Sequence, residues 1–157
     1  MTIYRNMESE HAHRGYLTAV FACRCPRCRE GKLFRHSLSL GMKRNMEMHE
    51  ECPVCKQPTD IEVGFYYGTG YLSYLICIVI VIASFLIWFL TIGFSFSDKR
   101  FLFWIVSVSV FLAVIQPWLM RFSRVLWLSF FVKYNPDWMH HKPEDPERIV
   151  KEQMNNW

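Results

Sequence analysis

Two long apolar segments limit this chain to very few architectures. Neither Tyr71–Leu90 nor Phe101–Met120 contains a charged residue. At 1.5 Å per residue, about 20 helical residues span roughly 30 Å, which is the thickness of a bilayer core. Two buried helices of a soluble protein are the alternative, but a soluble core rarely needs uncharged runs of this length. We predict a membrane protein with an antiparallel helical hairpin over 64–120, whose spans are at about 71–92 and 101–120.

The residues that flank the spans are typical of the membrane–water interface. Aromatic side chains, which favour this zone, precede the first span and follow the second. The apolar stretch after the second span is too short to cross again. We therefore predict a short interfacial amphipathic helix over 121–135, followed by a polar C-terminal tail over 136–157. Contacts with lipids or a partner are expected at Tyr66, Tyr67, Arg121, Arg124 and Trp127.

The basic residues near the spans predict the orientation. A two-span hairpin places the segments that precede and follow it on the same side of the membrane. That side carries Lys56, Arg121, Arg124 and Lys133, whereas the turn carries Lys99 and Arg100. Because cytoplasmic segments are enriched in lysine and arginine, we expect both termini in the cytoplasm.

Four cysteines ahead of the hairpin form two Cys-x-x-Cys pairs. They are Cys25, Cys28, Cys52 and Cys55. Two residues between the cysteines of a pair let one tight turn aim both sulfurs at one ion, and four thiolates complete a closed tetrahedral site. We predict a small β zinc ribbon over 20–63, with one structural Zn²⁺, after a polar N-terminal segment over 1–19. A head this small needs such an ion to fold.

Other interpretations of the paired cysteines remain open. Disulfides are the main alternative, but they form in oxidising compartments, which the predicted cytoplasmic side disfavours. A thioredoxin-type redox role would need one pair within a βαβ pattern, and no such pattern surrounds either pair. Iron in a rubredoxin-like site fits the same spacing. We expect Gly31 to supply unusual backbone angles that lead the first pair into a strand over 32–40.

The loop between the two pairs contains a weaker candidate site. Met46, Met48 and His49 carry thioether and imidazole groups that suit Cu(I), although an ordinary loop can contain the same residues. Near the first pair, Arg24 and Arg27 belong to a basic face that is either solvated or in contact with lipid headgroups or a partner. No nucleophile–base arrangement occurs, so we predict that the protein is not an enzyme.

Four stretches of the chain resemble one family. They are CPRCREGKLF (25–34), ECPVC (51–55), GFYYGTGYLSY (64–74) and RFSRVLWLSFFVKY (121–134). Together they are similar to the small bacterial membrane proteins catalogued as domain of unknown function 983, in their Bacteroidetes-type form. The resemblance implies a zinc ribbon and two transmembrane helices in the inner membrane of a Gram-negative bacterium, with the four paired cysteines as ligands. It implies no activity. Lys56 departs from the family pattern, in which glycine commonly follows the second pair.

These features favour a non-enzymatic role. The leading hypothesis is an accessory subunit or assembly factor of a larger inner-membrane complex, in which the zinc ribbon is a docking module. Its expected partners are membrane lipids and other integral membrane proteins; neither nucleic acid nor a small-molecule substrate is expected. A metal-handling protein that delivers or senses zinc or copper is the alternative. A membrane-tethered nucleic-acid-binding module is a third hypothesis.

Overall fold

The chain folds into a small cysteine-containing head that is seated on one end of a two-helix hairpin. The computed structural model describes residues 15–62, 64–93 and 99–143. The polar segment 1–19 and the tail 136–157 therefore lie partly outside the described residues. The elements in chain order are helices α1 (Tyr16–Phe21) and α2 (Met42–Met46), a 3₁₀ turn (Phe65–Tyr67), and helices α3 (Gly68–Ile92) and α4 (Arg100–Phe131).

The two uncharged stretches form the hairpin of α3 and α4. The helices contain 25 and 32 residues, which corresponds to about 38 Å and about 48 Å. Both are long and apolar enough to cross a membrane, and their most apolar windows are almost entirely outside the protein interior. Phe85 of α3 meets Trp104 of α4 edge to face, with 5.3 Å between ring centroids. Helix α3 ends at Ile92 and is followed by Gly93, whose φ of 78° suits glycine.

Helix α4 is longer than the second predicted span. It continues through Pro117 and ends at Phe131, so the prediction of a separate interfacial helix over 121–135 is wrong. The reason is that the final turns of α4 have a covered face. Val125 and Leu128 are fully buried against the head, and their spacing places them on one side of the helix. Burying such side chains contributes about 1.5–3 kcal/mol each, which favours continuing the helix over ending it.

The described part of the head contains isolated bridges and no extended strand. Its three antiparallel bridges pair Arg24 with Lys32, Phe34 with Met48, and Glu51 with Pro58. The predicted strand over 32–40 is thus represented by two single bridges, and a β ribbon is not shown. The pairing still has a simple order: one bridge closes each cysteine turn, and the third joins the two halves of the head.

The core of the head and the face of α4 form one buried cluster. It contains the four paired cysteines together with Val20, Leu33, Phe34, Phe65, Val125, Leu128 and Val132. A head of this size has too little apolar surface to bury alone. Its folding is therefore coupled both to the cysteine site and to the helix on which it is seated.

Candidate metal centre

The two cysteine pairs meet at one point inside the head. The four sulfur atoms all lie within 4.8 Å of one another. The Sγ atoms of Cys25 and Cys55 are 3.7 Å apart, and those of Cys28 and Cys52 are 3.8 Å apart. A tetrahedral ion with metal–sulfur bonds of about 2.3 Å places its sulfurs about 3.8 Å apart, whereas a disulfide bond measures about 2.05 Å. The donors therefore fit one tetrahedral ion.

All six cysteines lie within the described residues, and all six are free thiols. Within the described ranges, the four paired cysteines are also the one group of His, Cys, Asp and Glu side chains found close enough to hold an ion. The predicted ligands are therefore brought together as the spacing indicates, and disulfides between them are not formed.

Each cysteine pair is held by the same backbone turn. The Arg29 N–H donates to the Cys25 carbonyl at 2.7 Å, and the Lys56 N–H donates to the Cys52 carbonyl at 3.0 Å. Arg29 and Lys56 also share the left-handed conformation, with φ of 61° and 58°. This conformation costs about 1 kcal/mol at a residue other than glycine. The position of Lys56 thus has the geometry that glycine adopts most easily, and the turn forms without glycine.

Gly31 is required for a different reason from the one that we predicted. Its φ lies outside the left-handed region, so the expectation of unusual backbone angles there is wrong. Instead, a Cβ atom at this position would collide with Cys52 Sγ. The Gly31 N–H also points at Cys28 Sγ, at 3.5 Å. The glycine therefore lets the backbone pass directly beside the sulfurs of both pairs.

Burial and mutual contact prevent the four thiols from ionising independently. Cys25 and Cys52 are fully buried, and Cys28 and Cys55 nearly so. Hydrogen bonding with Cys28 raises the pKa of Cys25, and the same contact lowers the pKa of Cys28. One thiolate is favoured while its neighbour stays protonated, because like charges at this distance repel. A divalent cation at the centre would remove this conflict and allow all four sulfurs to bind as thiolates.

The two remaining cysteines are outside this cluster. Cys77 lies in the middle of α3. Cys23 is close in sequence to the first pair but is not part of the group of four. Burial raises the pKa of Cys23 to about 11, and the nearby charge of Arg121 offsets only part of this effect. Its thiol therefore stays protonated at neutral pH and is a poor ligand or nucleophile.

The residues of the predicted copper site have contacts within the protein. The Met46 carbonyl accepts a hydrogen bond from Arg124 at 3.1 Å. Met48 pairs with Phe34 in the central bridge and packs against the buried cluster. The His49 N–H donates to a carbonyl of the same bridged region. The main chain at Met46 and His49 and the side chain of Met48 thus contribute to the head and to its seat on α4.

Polar contacts to main-chain carbonyls fix the head on α4. Arg121 donates to the carbonyls of Asn45 and Ser37, each at 2.9 Å, and its guanidinium lies 4.7 Å from the ring centroid of Phe34. In the reverse direction, Asn45 Nδ2 donates to the carbonyl of Pro117 at 2.8 Å. Asn45 is almost completely buried and the sequence analysis missed it, because no local pattern identifies an asparagine that bonds a helix distant in sequence.

Several residues predicted to contact lipids or partners have hydrogen bonds within the protein. Arg24 donates to the carbonyl of Glu30. Arg27 is buried, and donates to the carbonyl of His141 at 2.7 Å. Arg121, described above, is buried as well. These three arginines therefore hold the head together or join it to the segments around it.

Two aromatic residues of the predicted contact set, Tyr66 and Trp127, also have hydrogen bonds within the protein. Tyr66 donates its hydroxyl proton to the carbonyl of Thr59 at 2.7 Å, and Arg124 lies 4.8 Å above its ring. Trp127 Nε1 donates to the carbonyl of Phe65 at 2.9 Å. Tyr67, in contrast, is 67% exposed. Of this predicted contact set, Tyr67 has the most exposed side chain.

Comparisons with protein-family models, with curated proteins and with solved structures found no match to this chain. Its function is therefore inferred from its own residues and geometry.

Proposed function

We propose that this protein is a non-enzymatic accessory subunit or assembly factor of a larger complex in a bacterial inner membrane. In this proposal a structural zinc ion stabilises the head, and the hairpin of α3 and α4 anchors it in the bilayer. The observation that carries the proposal is a buried, closed site of four cysteines built directly onto one of two apolar helices. The resemblance to domain of unknown function 983 supports the bacterial inner membrane as the location.

The donor set supports zinc as the ion. Four thiolates in a tetrahedral arrangement are typical of structural zinc sites, and iron is the main competitor for the same geometry. The site leaves no ligand position for water or substrate once four sulfurs are bound, and all four cysteines are buried or nearly so. An ion in this environment stabilises a fold and is poorly placed to catalyse a reaction.

The surface of the hairpin supports insertion into a membrane. Large apolar side chains along both helices are exposed, including Ile87 at 64% and Val114 at 74%. Monomeric soluble proteins rarely expose apolar patches of this extent, because hydration of apolar surface is unfavourable. Lipid or the helices of a partner would cover this surface. The excess of basic residues on the head side supports a cytoplasmic location for the head and both termini.

A docking role fits the rigid connection between head and hairpin. The head is joined to α4 by buried side chains and several hydrogen bonds, not by a linker. A rigid head keeps a fixed orientation relative to the membrane and can contact a partner without a large ordering cost. On α3, Tyr71 and Tyr74 are 82% and 67% exposed just below the head, where a partner helix could pack.

The alternative functions have less support. Delivery of a metal ion would require accessible ligands that can exchange, whereas Cys25 and Cys52 are fully buried. The nucleic-acid hypothesis would use Arg24 and Arg27, but Arg27 is buried and Arg24 bonds within the head. The docking role therefore remains the best-supported proposal.

Purification from native membranes tests the proposal. A tagged chain would be isolated in a mild detergent, together with a matched Cys25→Ser/Cys52→Ser variant that cannot complete the metal site. We expect zinc at one ion per wild-type chain, and stoichiometric integral membrane partners that the variant loses. Recovery of the wild-type chain alone, with its metal, would contradict the accessory role and favour a self-contained metal-handling function.

A further inference from the structure

Large apolar side chains are exposed on the head, outside the metal centre. Four of them, Phe21, Leu38, Leu40 and Met42, are 53%, 55%, 90% and 68% exposed; we call these four the apolar rim. Leu38, Leu40 and Met42 occupy alternate positions in the segment that leads into α2. Contact with another apolar surface would remove this apolar area from water.

Contacts with α4 fix the level of the rim along this helix. Phe21 stacks on Trp118, with 5.8 Å between ring centroids. The loop that carries the other three rim residues is held by Asn45, whose side chain bonds both the Ser39 N–H and the Pro117 carbonyl. Both parts of the rim thus lie beside the Pro117–Trp118 turn of α4, although they come from different segments of the head.

This turn is where α4 would leave the bilayer. It lies at the end of the uncharged stretch Phe101–Met120, and Arg121 is the first charged residue that follows. The helix continues to Phe131, which is about 15–20 Å further from the bilayer centre at 1.5 Å per residue. The rim is therefore on the membrane side of the head, at the height of the lipid headgroups and the upper acyl chains.

Basic side chains lie next to the apolar rim in the sequence. Lys43 and Arg44 directly follow Met42 and are exposed. Apolar side chains next to basic ones are the combination that binds the interface of an anionic leaflet, because the apolar groups enter the acyl region while the cations meet phosphate groups. The continuity of the rim with the apolar hairpin identifies lipid, and not a second protein, as the surface that covers it.

We propose that the apolar rim inserts into the headgroup–acyl boundary of the leaflet, with Lys43 and Arg44 on lipid phosphates. The head is then partly embedded and does not project from the membrane as a free knob. This inference rests on the membrane insertion that the proposed function includes. It adds a lipid contact that neither the two spans nor the metal centre requires.

Depth-dependent fluorescence quenching tests the inference on the full, metal-loaded chain. Single cysteines would be introduced by Leu40→Cys in the rim, Lys133→Cys beyond the end of α4, and Ile87→Cys within α3. The background would carry Cys23→Ser and Cys77→Ala, so that only the new thiol takes a bimane probe. All three replaced side chains are exposed, so labelling leaves the core intact. The vesicles would contain equal parts of phosphatidylcholine and phosphatidylglycerol.

We expect the probes at positions 40 and 133 to differ in how strongly lipid and aqueous quenchers reduce their fluorescence. Lipids that carry a spin label near the top of the acyl chain should quench the Leu40 probe several-fold more than the Lys133 probe, and aqueous iodide should show the reverse order. Replacing Lys43 and Arg44 with serine should weaken quenching at Leu40 in these vesicles but not in pure phosphatidylcholine.

Two outcomes would overturn the inference, and they are distinguishable. If the Ile87 probe is quenched by lipid while the Leu40 probe is as accessible to iodide as the Lys133 probe, the hairpin is inserted but the rim faces water or a protein partner. If the Ile87 probe is also accessible to iodide, membrane insertion itself is wrong, and the proposed function fails with it.

Discussion

Replacing Gly31 with alanine would test the four-thiolate geometry without removing a ligand. A methyl group at this position would collide with Cys52 Sγ. The φ of Gly31 is outside the left-handed region, so the new side chain adds little backbone strain of its own. Gly41→Ala is the matched control, because the nearest atom to its Cβ would be Ser39 Oγ at 3.8 Å, an ordinary van der Waals contact. The two variants add the same methyl group to the same head.

The size of the expected effect follows from the tolerance of metal–sulfur bonds. Such bonds keep their length to within about 0.2 Å, so Cys52 Sγ cannot move away from a methyl group and remain a ligand. Structural zinc sites bind with roughly 10–16 kcal/mol, so a proportional loss of one ligand in four costs about 2.5–4 kcal/mol. This corresponds to a decrease in zinc affinity of about 60- to 700-fold.

Competition with a chromophoric zinc chelator would measure this affinity on the full chain in detergent. The wild type and Gly41→Ala should bind zinc equally well, whereas Gly31→Ala should lose the metal at much lower chelator concentrations. Helical circular dichroism, which the long hairpin dominates, would show that the variants remain inserted in the micelle as helices. Wild-type zinc affinity in Gly31→Ala would refute the assignment of Cys52 as a ligand in this geometry.

Three further changes test other parts of the structure. Gly68→Ala would drive a methyl group into the ring of Trp127 and should lower the thermal unfolding midpoint of the head, whereas Gly70→Ala, with no atom within 4 Å, should not. Arg121→Met removes charge-assisted hydrogen bonds to the carbonyls of Asn45 and Ser37, and should destabilise the head by about 2–4 kcal/mol in denaturant unfolding; an unchanged midpoint would contradict the seat on α4. Burial raises the pKa of Asp60, so the ionised carboxylate costs stability once the pH rises above its ordinary value. Asp60→Asn should therefore stabilise the head near neutral pH and lose this advantage below about pH 4; an advantage that is greatest in acid would contradict the direction of the shift.

The metal cluster and the hairpin could be predicted from sequence because both depend on local patterns. The spacing of Cys25 and Cys28 sets the turn that aims their sulfurs together, and the second pair repeats it. The absence of charge over two long stretches predicts the hairpin, because uncharged apolar helices of that length are typical of membrane spans. The β ribbon was predicted by analogy with its turns, and the described residues form only isolated bridges.

The seat of the head on α4 could not be predicted in the same way. Arg121 directly follows an uncharged span, a position at which arginine is typical of an interface anchor. Its partners are the backbone carbonyls of Asn45 and Ser37. Because every residue has a backbone carbonyl, the sequence does not identify which carbonyls an arginine will contact. A partial signal was present in the spacing of Val125, Leu128 and Val132, which marks one covered face of a helix. An interfacial helix with its apolar face on lipid has the same spacing, so the pattern identifies a covered face but not the surface that covers it.

The shared core links the metal to the membrane part of the molecule. The four cysteines pack in the same buried cluster as Val125 and Leu128, so loss of the ion would loosen the surface that covers the final turns of α4. Arg121 would then lose its carbonyl partners in the head, and the final turns of α4 would lose the contacts that hold them. We therefore expect metal loss to weaken the fixed connection between the head and the second helix.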